Sequence, residues 1–154
     1  MIKIITANDN ELVLKTKELF REYASSLCFD LSFQNFEQEI ATFPEQYSPP
    51  QGRLCLAEYR NEIVGCVGLR DLGEGRCEMK RMYVKPGYRG KGLGKSLAKA
   101  VINEARSIGY SHMRLDTIPT MKEAGNLYIS LGFKKIEPYR FNPIEGTIFL
   151  ELEL

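Results

Sequence analysis

The sequence predicts an α/β domain built on a mixed, mostly antiparallel sheet flanked by helices. Three observations carry this prediction. Apolar residues recur every three or four positions in several segments, the period changes to two across the middle of the chain, and a glycine-rich turn joins an apolar strand to a helix. Because the 154 residues contain no linker, repeat or low-complexity segment, we expect a single domain spanning residues 1–154.

The N-terminal third is predicted to form one strand and two helices. Residues 2–6 alternate weakly, as in a strand. Asn8-x-x-Glu11 has the form of a capping box, which predicts a helix with Asn8 as its cap. Ser32 is a second candidate cap, ahead of a second run of helical spacing. Residues 44–52 hold three prolines and a glycine, so they form a surface connection.

The middle of the chain is predicted to form three consecutive antiparallel strands. The period changes to two here, and the apolar runs at residues 54–59 and 63–69 flank Arg60-Asn61-Glu62 as a hairpin. A glycine-rich turn at residues 71–75 then leads into a third strand at residues 76–84.

The C-terminal half is predicted to contain two helices between strands. Apolar residues spaced by three or four follow Gly92, and Gly109 stands where a left-handed cap ends a helix. A short strand at residues 113–117 precedes a helix that Thr120-x-x-Glu123 opens as a capping box. The tail at residues 148–154 alternates as a strand does. The predicted order is strand, two helices, three strands, helix, strand, helix and two strands.

The glycine-rich turn has the properties of a phosphate site. Gly90, Gly92 and Gly94 have no Cβ to block a ligand, so successive backbone N–H groups can point at one anion at the positive end of the following helix. Arg89 and Lys91 add positive charge. The turn therefore predicts a phosphorylated ligand.

Spacing separates the families that use such turns. The dinucleotide fingerprint fails, because its third glycine would fall on Lys95 or Leu97. The nucleoside-triphosphate loop matches at Gly94-Lys95-Ser96, but its first glycine would fall on Arg89. An enzyme that uses the nucleoside-triphosphate loop would require Mg²⁺-dependent ATP binding.

Two motifs resemble the GNAT-type N-acetyltransferases, which carry acetyl groups from acetyl-CoA to amines. They are Arg89-x-x-Gly92-x-Gly94 and Ala124-x-x-Leu127-Tyr128-x-x-x-Gly132-Phe133. The resemblance covers essentially the whole chain and implies the GNAT (acyl-CoA N-acyltransferase) fold. In that fold a twisted sheet is splayed between the strands at 76–84 and 112–117, with acetyl-CoA in the gap. The sequence departs from the family at Met121, where many members carry an Asn that contacts the cofactor arm.

The resemblance also implies site residues. It places the pantetheine arm beside one strand and the pyrophosphate on the turn, so the implied acetyl-CoA contacts are Met82, Tyr83, Val84, Arg89, Gly90, Lys91, Gly92, Leu93, Gly94 and Lys95. Tyr128 matches the family's proton donor, and Glu78 aligns with the carboxylate that accepts the amine proton in many relatives. Core packing for Tyr128 and simple exposure for Glu78 are the alternatives.

The implied activity is transfer of acetyl from acetyl-CoA to a primary amine by direct attack in a ternary complex. A non-catalytic acyl-CoA-binding or sensing domain is the alternative, and the presence of both Glu78 and Tyr128 argues against it. The acceptor is expected to be a small molecule. Arg70, Lys80, Arg81 and Arg140 could favour a carboxylate on it, or could simply be solvated. The loop at residues 139–143 is a candidate to close over the acceptor.

Charge and cysteine usage restrict the partners. The 21 Lys and Arg residues nearly cancel the 20 Asp and Glu residues, so we expect neither nucleic acid nor a membrane as partner. The N-terminus lacks the apolar segment of a signal peptide, which predicts a cytoplasmic location. A monomer and a homodimer both agree with the sequence.

Neither a metal site nor a cysteine nucleophile is expected. His112 is the only histidine, which excludes a multi-histidine metal site. A Cys-His pair would require folding to bring Cys66 or Cys77 to His112. The cysteines lack any Cys-x-x-Cys pair and three of them lie in apolar, strand-like runs, which predicts buried free thiols. They are Cys28, Cys55, Cys66 and Cys77.

Overall fold

The computed structural model describes residues 1–27 and 30–154, and these form one mixed sheet with helices on both faces. The strands are β1 Ile2–Thr6, β2 Arg53–Tyr59, β3 Glu62–Gly73, β4 Arg76–Val84, β5 His112–Thr117, β6 Lys134–Ile136 and β7 Ile148–Glu153. The helices are α1 Asn10–Ser26, α2 Phe36–Ala41, α3 Leu93–Ile108 and α4 Lys122–Ser130, with short 3-10 helices at Ser32–Gln34 and Glu45–Tyr47. The predicted element order and fold class are confirmed.

The seven strands lie in the order β1-β2-β3-β4-β5-β7-β6. Neighbouring strands are antiparallel except β4 and β5, which are parallel. The β2–β3 hairpin turns at Arg60 and Asn61, both with positive φ (51° and 67°), the signature of a two-residue type I′ turn. β3 continues to Gly73, beyond its predicted end at residue 69, because its pairing with β4 persists to the Gly73–Arg76 pair.

Two of the predicted N-terminal caps are wrong. Asp9, not Asn8, caps α1: its side chain accepts a hydrogen bond from the Leu12 N–H at 2.8 Å. Ser32 begins a short 3-10 helix instead of capping α2, and α2 starts only after Asn35, whose φ of 56° breaks the run. In both cases backbone direction decides where the helix starts, and spacing alone does not fix that direction.

The predicted capping box at Thr120 is also wrong. Met121 holds the N-cap position of α4, and no side chain makes a capping hydrogen bond there. The predicted glycine cap of α3 is confirmed, since Gly109 has φ 108° and its N–H donates to the carbonyl oxygens of Ala105 and Arg106.

The core is divided between the two faces of the sheet. Along β2, Leu54 and Leu56 pack with α1 and α2, whereas Cys55 and Ala57 pack with α3 and α4. We call these the α1 face and the α3 face. Side-chain alternation along the strands therefore assigns each site residue to one face.

The sheet opens between β4 and β5. Only three residue pairs join these strands, and the last is Glu78 with Arg114. Beyond Glu78, β4 is bent by a bulge at which Arg81 and Met82 oppose the single residue Val67, with Arg81 at φ 60°. The predicted splay is confirmed, and we call this opening the β4–β5 gap.

Across residues 1–27 and 30–154, every helix is too short or too polar to cross a bilayer.

Candidate active site

The glycine-rich turn lies at the wide end of the β4–β5 gap and leaves its backbone accessible. Gly90 and Gly92 have positive φ angles of 79° and 84°, and a Cβ built on Gly90 meets nothing within 4 Å. α3 begins at Leu93 without a side-chain cap, and its first helical hydrogen bond runs from the Ser96 N–H to the Gly92 carbonyl at 3.1 Å. The N–H groups of the first turn before Ser96 therefore have no helical acceptor.

The cations of the turn are held against neighbouring strands. Arg89 Nε donates to the Val84 carbonyl at 2.9 Å, and its guanidinium lies 5.8 Å from the Tyr83 ring centre. Lys91 Nζ lies 5.7 Å from the ring centre of Tyr59. The turn is thus tied to the end of β4.

The edge of β4 along the gap is free to form backbone hydrogen bonds with a bound chain that carries amide groups. β3 covers the other edge through the Cys66–Tyr83 and Gly65–Val84 pairs, whereas β5 pairs with β4 only as far as Glu78. The Tyr83 side chain itself is buried on the α1 face, where its hydroxyl donates to Glu22 at 2.7 Å. Leu93 is also buried, so these two residues can contact a ligand mainly through their backbone.

Tyr128 lies on the α3 face, buried in the core cluster there. Its ring packs edge to face on Phe133, with centroids 5.7 Å apart. Burial raises the pKa of the Tyr128 phenol above its ordinary value, with a smaller contribution from the Tyr23 phenol. Tyr128 therefore stays protonated near neutral pH.

Tyr23 was not predicted as a site residue. It projects from α1, and its ring lies 6.0 Å from that of Tyr83. Burial is the main cause that raises the Tyr23 pKa. The charge of Arg81 on β4 lowers this pKa, and the charge of Asp116 on β5 raises it. Tyr23 also makes the smaller contribution to the raised pKa of Tyr128 on the other face. No periodicity distinguishes Tyr23 from an ordinary core residue of α1.

Glu78 lies on the α1 face at the point where the pairing of β4 with β5 ends, which we call the apex of the gap, and it is 1% exposed. Its carboxylate accepts a hydrogen bond from Arg70 Nε at 2.7 Å and another from the Tyr139 hydroxyl at 2.7 Å, and it forms an ion pair with Arg140. The loop between β6 and β7 that carries Tyr139 and Arg140 thus closes onto the apex. Glu78 is far from the simple exposed strand residue that was the alternative.

A buried ion-pair network lies next to the apex and was missed at the level of sequence. Arg81 donates from Nε and Nη2 to the two Glu39 oxygens at 3.2 and 2.9 Å, and Tyr47 donates to Glu39 at 2.8 Å. Burial alone would raise the Glu39 pKa, but hydrogen bonding and charge from Arg81 outweigh it and hold that pKa below the ordinary value. One signal was available: Glu39 falls within the apolar stripe formed by Phe36 and Ile40.

Lys80 lies beside this network with far weaker contacts. Its side chain is 7% exposed, and its ammonium is 3.9 Å from Glu39 Oε1, an oxygen already bonded to Arg81. Burial first, and then the charge of Arg81, lower the Lys80 pKa to about 7. Four cations were proposed from sequence to line an acceptor pocket. Arg81 forms a buried ion pair with Glu39, and the other three lie around the apex.

The described cysteines are buried free thiols, as predicted, while Cys28 lies outside the described residues. Burial raises the pKa of Cys66 and raises that of Cys77 to about 12. Cys77 Sγ does approach His112, but at its backbone carbonyl, 3.5 Å away, while the His112 ring nitrogen Nδ1 contacts Ser111 Oγ at 2.8 Å. Among the described residues, neither Cys66 nor Cys77 forms a hydrogen bond with the His112 ring.

Comparison with known proteins decides the family. The model of the acetyltransferase (GNAT) family matches residues 15–133. The chain belongs to this family. An uncharacterized N-acetyltransferase of Schizosaccharomyces pombe is 42% identical over 140 residues, which cover 90% of this chain and 86% of that protein. The GNAT enzyme is accordingly an acetyl-CoA-dependent acetyltransferase.

Solved structures support the GNAT fold. A GNAT acetyltransferase from Staphylococcus aureus Mu50 aligns over 99% of both chains with a TM-score of 0.79 and 25% identity. A Salmonella typhimurium protein solved with its cofactor acetyl-CoA aligns over 99% of this chain and 93% of that one, with a TM-score of 0.71 and 19% identity. The GNAT match ends at Phe133, so the Tyr139–Arg140 loop of this GNAT chain lies beyond it.

Proposed function

We propose that the chain transfers the acetyl group of acetyl-CoA to a primary amine by direct attack within a ternary complex. The observation that carries the proposal is the β4–β5 gap. One end of it meets the glycine-rich turn, the α3 face supplies Tyr128, and the α1 face supplies the buried polar cluster around Glu78. A donor held along the gap would be reached by an acceptor from the α1 face.

The proposed acetyl-CoA site uses backbone more than side chains. The pyrophosphate would accept hydrogen bonds from N–H groups of residues 90–95, with Arg89, Lys91 and Lys95 supplying charge. The pantetheine amides would pair with the free edge of β4 at Met82, Tyr83 and Val84. This assignment explains why Gly90 and Gly92, on either side of Lys91, both have positive φ just before a helix.

Substitution of Gly92 tests this assignment. Gly92→Val should weaken acetyl-CoA binding more than about tenfold, because a β-branched residue at φ 84° cannot keep the turn that presents the N–H groups. Gly109→Val is the matched control, since Gly109 has φ 108° at the other end of α3. A Cβ there would meet nothing within 4 Å, and one on Gly92 would meet only Ile2 Cδ1 at 4.0 Å. Both variants should lose about 1–2 kcal/mol of stability. Calorimetry measures the affinity for acetyl-CoA. Equal affinities of Gly92→Val and its control would mean that the pyrophosphate binds outside this turn.

Tyr128 is proposed as the general acid. As the amine nitrogen forms a bond to the acetyl carbon and the carbon–sulfur bond breaks, the phenol would give its proton to the departing thiolate. Its raised pKa keeps that proton available at neutral pH.

Glu78 is proposed to take the proton that the amine loses. A carboxylate offers about four lone-pair positions. Arg70, Arg140 and Tyr139 occupy three of them, which leaves one for the amine or for a bridging water. The role therefore requires that the acceptor enter from the α1 face, next to these donors.

Direct attack predicts that no cysteine carries the acetyl group. Cys66→Ala and Cys77→Ala should keep kcat within about threefold of the parent, because both thiols are buried and their pKa values are raised, so little thiolate forms at neutral pH. Initial rates measured against both substrates should give intersecting double-reciprocal lines. Parallel lines, together with an acetyl-cysteine that forms and decays at the turnover rate, would replace the proposal with a ping-pong mechanism.

A further inference from the structure

We infer that the acceptor carries a carboxylate, which binds on the α1 face of the β4–β5 gap against Lys80, Arg70 and Arg140. This inference rests on the proposed amine acetylation and names the class of acceptor. It follows from three features of the described residues: an unbalanced charge, a buried lysine without a hydrogen bond, and two arginines that share one carboxylate.

Charged side chains at the apex of the gap are unbalanced. Four cations from three segments face three carboxylates, and the neighbouring pair of Arg114 with Glu151, at 2.7 Å, is neutral by itself. The cations are Arg70, Lys80, Arg81 and Arg140, and the carboxylates are Glu39, Glu78 and Asp116. With Lys80 protonated, one positive charge is left over in this partly desolvated site, and a bound carboxylate would balance it.

Lys80 forms the first part of the proposed carboxylate site. Its alternation with Met79 places it on the α1 face, two residues beyond Glu78, where β5 no longer pairs with β4. Among the described residues its ammonium makes no hydrogen bond, and the Glu39 oxygen 3.9 Å away is taken by Arg81. A buried ammonium in this state is costly unless an anion reaches it.

Arg70 and Arg140 form the second part of the site. Both contact Glu78, so one carboxylate serves two guanidinium groups. Burial first, and then the charge of Arg70, lower the Arg140 pKa to about 10. A second carboxylate between them would remove this repulsion, and a planar guanidinium is well suited to hold it.

The position suits an amino acid acceptor. Residues two apart on one face of a strand are about 6.7 Å apart, so a carboxylate near Lys80 would lie close to the Glu78 side chain. The amine of the same molecule could then reach the gap beside the proposed proton acceptor. Asp116, on the β5 side of the same face, supplies a negative charge that would attract the ammonium group before it loses its proton.

The test compares acceptors that differ only at the carboxylate. Glycine, β-alanine and γ-aminobutyrate are each measured against their own primary carboxamides, following CoA release at saturating acetyl-CoA. We expect kcat/KM to be at least about tenfold higher for one or more of the carboxylates. The amides have the less basic amine and hence more free amine at neutral pH, so amine protonation cannot produce this preference.

Variants locate the carboxylate. Lys80→Met and Arg140→Gln should each reduce the carboxylate-to-amide ratio toward one while acetyl-CoA affinity stays unchanged. Arg76→Gln is the matched control, because Arg76 is a cation on the same strand that pairs with exposed Glu74, away from the gap. Its ratio should match the parent's.

Two results would overturn the inference and spare the proposed function. In the first, uncharged amines are acetylated as well as the amino acids are. In the second, Lys80→Met lowers kcat equally for both members of each pair, which would make Lys80 a proton acceptor instead of a carboxylate ligand. Failure of every amine to release CoA would instead remove the proposed function.

Discussion

Tyr128→Phe should lower kcat by about 100-fold or more while leaving acetyl-CoA affinity nearly unchanged. The substitution removes the phenol proton but keeps the ring that packs on Phe133. If the hydroxyl protonates the departing thiolate only in the transition state, the loss appears in kcat and amounts to about 2.7 kcal/mol in the barrier. The measurement is kcat, acetyl-CoA Kd and Tm for the variant with any accepted amine.

Tyr110→Phe is the control for this experiment. Tyr110 belongs to the same core cluster, but its hydroxyl donates to the Gln51 carbonyl at 2.7 Å, away from the gap. Its substitution should lower Tm slightly and leave kcat as it was. Activity of Tyr128→Phe within about threefold of the parent would return Tyr128 to a packing role and leave thiolate departure to solvent.

Glu39→Gln should give the largest loss of stability. It leaves the Arg81 guanidinium buried without a counter-charge, which typically costs about 3–5 kcal/mol. For a chain of this length that loss corresponds to roughly 6–20 °C in Tm. The double variant Glu39→Met/Arg81→Met is the comparison, since removing both charges should cost less than removing one. Tm values by calorimetry decide, and a Glu39→Gln Tm within about 2 °C of the parent would mean that the pair contributes little.

The same pair predicts a dependence of stability on pH. The Glu39 pKa is lower in the folded chain than in the unfolded one, so the unfolded state binds more protons as acid is added. The stabilisation is therefore fully present above the ordinary range of a glutamate carboxyl and is lost as the pH falls through the lowered value. Between about pH 5 and pH 3 the parent should lose more stability than Glu39→Gln, and parallel pH curves would contradict this.

Most of the fold could be predicted because its elements have strong local signals. Apolar residues alternate with charged ones along the first part of β4, and the helical spacing of α3, closed by Gly109, reflects burial of one helix face. The bounds of both elements agree with the structure to within a residue. The caps failed because Asn8 and Asp9 are both good capping residues, and only the chain direction after β1 selects Asp9. The bulge at Arg81 carries no sequence signal, since a charged residue with positive φ is set by the sheet around it.

The site was only partly predictable, for a related reason. The glycine turn is local, so its position and accessible backbone followed from spacing. The surroundings of Glu78 did not, because Arg70 lies eight residues before it and Tyr139 lies 61 residues after it. Contacts between such distant residues depend on where β3, β4 and the β6–β7 loop meet in the folded chain.

Incubation of the protein with acetyl-CoA and a panel of primary amines, with CoA and N-acetyl product quantified together, tests the proposed acetyl transfer most directly. The account predicts that at least one amine yields equal amounts of CoA and its N-acetyl derivative, at a rate that Tyr128→Phe lowers by about 100-fold. Acetyl-CoA that raises Tm but is not consumed with any amine would contradict it and leave a domain that binds acetyl-CoA without transferring its acetyl group.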